Sequence, residues 1–263
     1  MNESTPLVVV EEHGAYAVVR INRASKRNAM NTEARQALRW SLRELEKGGA
    51  RVIVITGSSA SFCSGIDLKE LGDSPDARKA GLREWVEVLL EIRRHPAIII
   101  SAVNGLALGG GVSLINASDL AIVADEAEMG LPEMGFGTYP AMAGPSTQMM
   151  LTPKRAAWLV LTAKRIDGAT AELWGLVNRS VPLADLEREH HALAAHICQF
   201  DPVALKEAKK ALEMVPRRIN DWSSALEFGQ GVNEGIRALS NAPRDGLARF
   251  DQGKNNSGQG KIP

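Results

Sequence analysis

Apolar positions along this chain follow two rhythms, and the change comes near residue 169. Before it, short runs rich in Val and Ile, at 7–11, 16–21, 52–56, 97–103 and 120–124, read as strands. Stretches of helical spacing lie between them. One opens at Thr32, carries Ala34, Leu38, Leu42 and Leu45 on one face, and closes at Gly48-Gly49. A second covers 76–94 and stops before Pro96, and a third runs from three consecutive glycines at 109–111 to about Ala117. His13-Gly14 predicts a hairpin and Asn104-Gly105 a turn. Oily strands alternating with helices imply an α/β core with its sheet covered on both faces.

Past 169 the spacing is helical at 169–174, 183–200, 203–214 and 219–240, with strand character only at 177–181. This part reads as a helical appendage packed on the core or on a neighbouring subunit. The tail NNSGQGKIP is polar and glycine-rich, so disorder is expected there.

Composition narrows the function. Among 263 residues, 31 basic and 31 acidic side chains give zero formal charge, with no electrostatic footprint for nucleic acid or an anionic membrane. No apolar run approaches the roughly 20 residues that span a bilayer. The N-terminus lacks the basic flank and apolar core of a secretory signal. Two distant cysteines, Cys63 and Cys198, form no disulfide framework. A cytoplasmic protein is expected.

The glycines carry the first chemical hint. The opening N–H groups of a helix have no partner within it, and the helix dipole adds positive charge there. Bare amides at such a point suit a phosphate, or an oxygen that becomes negative during reaction. Close helix–strand packing also favours glycine. Two further stretches matter. FCSGIDL, at 62–68, is a small-residue loop after a buried strand that can offer a second backbone donor. LPEMGFGTYP, at 131–140, sets the carboxylate of Glu133 beside apolar residues, where a raised pKa permits proton exchange near neutrality.

Other candidates are weaker. His191 and His196 stand at roughly helical spacing without a cysteine or carboxylate pattern for zinc, so no metal is expected. Ser64 is not in a G-x-S-x-G elbow, and GFGTYP does not complete a dinucleotide fingerprint. Cys63 reads as a packing residue, and Trp158, Trp174 and Trp222 as core or subunit contacts.

Taken together, FCSGIDLKEL, HPAIIISAVNGLALGGG and ADEAEMGLPEMGFGTYP resemble the signature segments of the crotonase (enoyl-CoA hydratase/isomerase) superfamily, in order and spacing. INRASKRNAMN and TAKRIDGATAELWGLVNRSVP extend the resemblance across roughly 15–215. It implies a spiral of repeated strand-strand-helix turns over 1–200 and a C-terminal helical trimerisation region over 201–263. It also implies homotrimers or hexamers made of two trimers, acyl-CoA thioester substrates, and no cofactor beyond the CoA that the substrate carries.

By the same resemblance the amides of Ile66 and Gly110 hold the thioester oxygen, and Glu133 moves protons. The segment at 25–29, with Lys26, Arg27 and Ala29, and the loop with Ser64, Ile66, Asp67 and Leu68 correspond to the CoA-binding parts. One position departs from the pattern. Family hydratases carry a second glutamate three residues beyond the middle glycine, and here that residue is Ser113. A serine hydroxyl cannot replace a carboxylate as base, though it can hydrogen-bond water or substrate. One carboxylate suffices to shuttle a proton between carbons, which tilts the expectation toward isomerase-like chemistry. Serine with glutamate also resembles hydroxycinnamoyl-CoA hydratase-lyases. Those enzymes use a C-terminal tyrosine, whereas Tyr16 and Tyr139 are the tyrosines here and Phe228 stands on the corresponding helix. A catalytically weak acyl-CoA-binding protein of the same fold is a third possibility.

Overall fold

The computed structural model describes residues 6–70 and 75–252. The expected disorder of the tail at 255–263 lies outside them. The main sheet has six strands in the order β1 (Val8–His13), β2 (Tyr16–Ile21), β3 (Val52–Gly57), β5 (Ile98–Val103), β7 (Leu120–Ala124) and β9 (Arg179–Val181). The β1–β2 hairpin is antiparallel, and every other pairing in this sheet is parallel. All six residues of β3 are buried, which explains its unbroken apolar run.

A second, three-stranded parallel sheet was not legible in the sequence: β4 (Ser61–Cys63), β6 (Leu106–Leu108) and β8 (Met129–Gly130). Each follows a strand of the main sheet after a short turn, so β3–β4, β5–β6 and β7–β8 are successive two-strand units of a spiral. Strands of two or three residues are too short to show a period. The stretch FCSGIDL at 62–68, read as a loop, therefore begins inside a strand.

Helices complete the turns. Asn31 caps α1 (Thr32–Lys47) by accepting from the Ala34 amide at 3.0 Å. The long α2 (Pro75–Arg94) ends one residue before His95-Pro96, and α3 (Gly110–Ala117) follows the glycines. Two helices, α4 (Ala143–Met150) and α5 (Pro153–Thr162), occupy sequence without a clear helical stripe. Next come α6 (Gly168–Trp174), α7 (Leu183–Ile197) and α8 (Pro202–Arg218); α8 runs past its expected end and carries Pro216 in its last turn. Asp221 opens α9 (Trp222–Leu239) by accepting from the Ser224 amide at 2.8 Å, and a final α10 (Ala242–Asp251) was not foreseen.

The core lies between the main sheet and its flanking helices, with Leu38, Leu42, Ile53, Ile55, Trp85, Ile92, Ile99, Ile100 and Leu114 fully buried. Of the three tryptophans expected at core or subunit contacts, Trp158 is 47% and Trp222 83% exposed in the single chain, so neither belongs to the core. Among the described residues no helix is long and apolar enough to cross a membrane.

Candidate active site

Parallel pairing of β4, β6 and β8 sends the chain off the same end of the small sheet three times. The segments that leave there are 64–68, 109–111 and 131–133. Three stretches distant in sequence, each singled out for its chemistry, thus meet in one place.

The glycine turn sets the geometry. Gly109 precedes α3 with φ +51°, ψ −108°, a conformation that L side chains rarely adopt, and no side chain caps the helix. A Cβ at Gly109 would lie 2.6 Å from Oε1 of Glu133, so the carboxylate rests directly on this turn. A Cβ at Gly110 would lie 3.3 Å from the Ile66 nitrogen, and one at Gly65 would lie 3.0 Å from the Gly110 nitrogen. The two amide nitrogens are thus close neighbours. Among the described residues neither donates a hydrogen bond to another protein group. The third glycine serves packing: a Cβ at Gly111 would fall 1.9 Å from the Cys63 carbonyl oxygen.

Glu133 sits in a 3-10 turn, Pro132–Phe136, whose end is tied back by Thr138 donating to the Glu133 carbonyl. Burial pushes its carboxyl above the usual glutamate range, with only a local backbone hydrogen bond opposing. Oε2 is buried and has no hydrogen-bond partner among the described residues. A shielded acid with an unused oxygen is equipped to exchange a proton with something that arrives.

Ser113 is fully buried on α3, and its Oγ lies 3.4 Å from the Gly109 carbonyl. Its hydroxyl thus turns back along its own helix. Cys63 is also fully buried, and desolvation pushes its thiol up to about 12, which leaves it inert as a nucleophile. Tyr139 is half exposed, lies against Gly144 and accepts from Gln148 Nε2 at 2.7 Å.

The segment at 24–30 packs on the loop that carries Ile66. The Met30 amide donates to Gly65 O at 2.8 Å, and the Asp67 amide to Met30 O at 3.2 Å. The Ser64 amide donates to Arg27 O at 3.0 Å, and Ser64 Oγ to Lys26 O at 3.4 Å. Arg27 and Asn28 both have positive φ, which turns the chain sharply here. Lys26 and Arg27 are exposed, Ala29 is half-buried and Leu68 is 67% exposed. Asp67 is held by Arg23 at 2.6 Å. Burial would raise its carboxyl, but the Arg23 hydrogen bond and charge outweigh that and hold it below the usual range.

Sequence reading missed Asn28. It is fully buried and donates to Ser58 O at 2.9 Å and Ser61 O at 2.6 Å, while its Oδ1 accepts from the Arg23 amide at 2.8 Å. It pins the 24–30 segment to the entrance of β4. An Asn inside a basic, turn-rich stretch was the available signal.

Comparison with known proteins gives the family of the chain. The profile of the enoyl-CoA hydratase/isomerase family matches residues 11–231. The chain is 36% identical over 212 residues to a hydroxycinnamoyl-CoA hydratase-lyase of Pseudomonas fluorescens, covering 77% of this chain and 76% of that one. It is 33% identical over 232 residues to a short-chain-enoyl-CoA hydratase of Clostridium acetobutylicum, covering 85% and 88%. The crystal structure of an enoyl-CoA hydratase from Bacillus anthracis superimposes with a TM-score of 0.88 at 26% identity, over 96% of this chain and all of that one. The chain belongs to the enoyl-CoA hydratase/isomerase family and has the crotonase fold. It is a member of an enzyme family whose chemistry needs no cofactor beyond the CoA of its substrates.

Proposed function

We propose that this enzyme acts on acyl-CoA thioesters through an enolate. The amides of Ile66 and Gly110 receive the thioester oxygen, and Glu133 serves as the sole acid/base. The supporting observation is the buried, unpartnered carboxylate oxygen of Glu133 against a glycine turn whose neighbouring amides are unused. In the isomerase direction, Glu133 takes a proton from the carbon next to the thioester carbonyl of a 3-enoyl substrate. The electron pair moves onto the oxygen, where two N–H donors stabilise it. Glu133 then returns the proton to the far end of the dienolate, which shifts the double bond. Ser113 adds no second base.

A second reading is favoured by the 36% identity to a hydratase-lyase. Water addition to an enoyl thioester, followed by cleavage of the 3-hydroxyacyl product, would use the same enolate hole and the same carboxylate. The segments at 25–29 and 64–68 would hold the CoA, with Lys26 and Arg27 at its phosphates.

The test is a panel of 2-enoyl-, 3-enoyl- and 3-hydroxyacyl-CoA esters followed at the thioester chromophore. The expected outcome is turnover of the 3-enoyl ester above the others. Faster turnover of a 3-aryl-3-hydroxyacyl ester with aldehyde release decides for the lyase. Glu133→Gln should lower kcat by about 10²–10⁴-fold while CoA-ester binding persists. Because the base must be ionised, the wild-type rate should fall as pH drops through the raised Glu133 pKa, on a limb lying above 4.5. Wild-type kcat in Glu133→Gln removes the assigned base.

We further propose that residues 201–263 are the assembly region of a homotrimer. Apolar residues Leu212, Trp222, Leu226 and Leu239 on α8 and α9 are strongly exposed in the single chain and support a subunit face there.

A further inference from the structure

The glycine turn has a second unpaired polar neighbour besides Glu133. Trp85, on α2, is fully buried together with Val88 and Ile92, which follow it at i+3 and i+7 on the same face. Its indole Nε1 has no hydrogen-bond partner among the described residues. The indole carbon Cε2, bonded to that nitrogen, lies 3.3 Å from where a Cβ of Gly110 would stand. The Ile66 nitrogen lies at the same 3.3 Å from that point. The nitrogen-bearing edge of the indole and the Ile66 amide therefore both lie beside Gly110.

A ring that only filled space would not need an N–H here. An unpaired buried donor costs about 1–3 kcal/mol, and such groups in folded proteins call for a reason. The indole nitrogen is shielded from bulk solvent in the single chain, so its N–H is not satisfied from that side. A tryptophan N–H donates only and does not ionise in the physiological range, so it suits an oxygen that gains negative charge.

We infer that the Trp85 indole N–H is a third hydrogen-bond donor to the thioester oxygen of the bound substrate, beside the amides of Ile66 and Gly110. The inference rests on the enolate reading above. It makes Trp85 a catalytic residue whose contribution grows as the oxygen becomes an enolate.

The experiment replaces Trp85 site-specifically with 3-benzothienylalanine, which keeps the ring shape and exchanges N–H for sulfur; Trp85→Phe is measured beside it. The expected result is a kcat about ten-fold or more below wild type with KM nearly unchanged. The carbonyl stretch of a bound, unreactive acyl-CoA should also move to higher frequency than in wild type. Because the isostere preserves packing, a folding failure of Trp85→Phe leaves the test intact. An isostere with wild-type kcat and an unmoved carbonyl band overturns the third donor alone. A wild-type protein that leaves the bound thioester unpolarised overturns the enolate reading and this inference with it.

Discussion

Helices α3 and α9 stand at opposite extremes of the same chain. Every residue of α3 except Gly110 is buried, whereas none of the 18 residues of α9 is. The shorter helix is wedged between α2, the small sheet and α4, and its first amide is the candidate donor to substrate. The longer one leans on α8 and α10 and leaves Trp222 and Leu226 bare. Burial thus marks where backbone position matters to the proposed chemistry, and apolar exposure marks the face proposed for subunit contact. Between them stands Lys209 of α8, 8% exposed, whose Nζ meets Asp119 Oδ2 at 2.7 Å and the Ala97 carbonyl at 2.8 Å. Asp119 follows the C-terminal end of α3 and accepts from the Ile99 amide at 2.8 Å. The C-terminal helices are therefore anchored near the end of the helix whose start borders the candidate site.

That contrast can be broken at three points. The largest effect is expected at the buried extreme. Gly111→Val puts side-chain atoms into the Cys63 carbonyl and should cost about 3 kcal/mol or more, read by urea unfolding or as loss of soluble protein. A normal Cm would mean that α3 can move away from β4. An intermediate effect is expected at the anchor. Lys209→Met leaves Asp119 without its cation and should cost about 2–3 kcal/mol, the low end for a broken buried pair because Asp119 keeps some solvent. Unchanged urea unfolding would show the pair to be idle. The smallest effect on protomer stability belongs to the exposed extreme. Leu226→Asp should change the unfolding midpoint by less than about 0.5 kcal/mol, yet shift the mass seen by light scattering from trimer to monomer. An unchanged mass would place the assembly face elsewhere.

Long periodic elements were readable from the residues themselves. The helix opening at Thr32, the apolar run at 52–56 and the strand at 120–124 carry enough residues for burial to imprint a pattern. The site was readable in pieces, because each piece needed an unusual residue: glycines where backbones approach closely, and a carboxylate among apolar neighbours. What eluded the pattern were β4, β6 and β8, whose two or three residues hold no period, and Trp85, whose position reads as ordinary helix core.

The amino-acid order alone therefore determined the long strands and helices and the segments that carry reactive groups, since those properties arise from neighbours along the chain. Only the tertiary structure decided that 64–68, 109–111 and 131–133 share one space, and that an indole N–H ends beside them without an acceptor. Those facts depend on how three short strands pair in parallel, and pairing between distant segments leaves no local signature for a sequence to display.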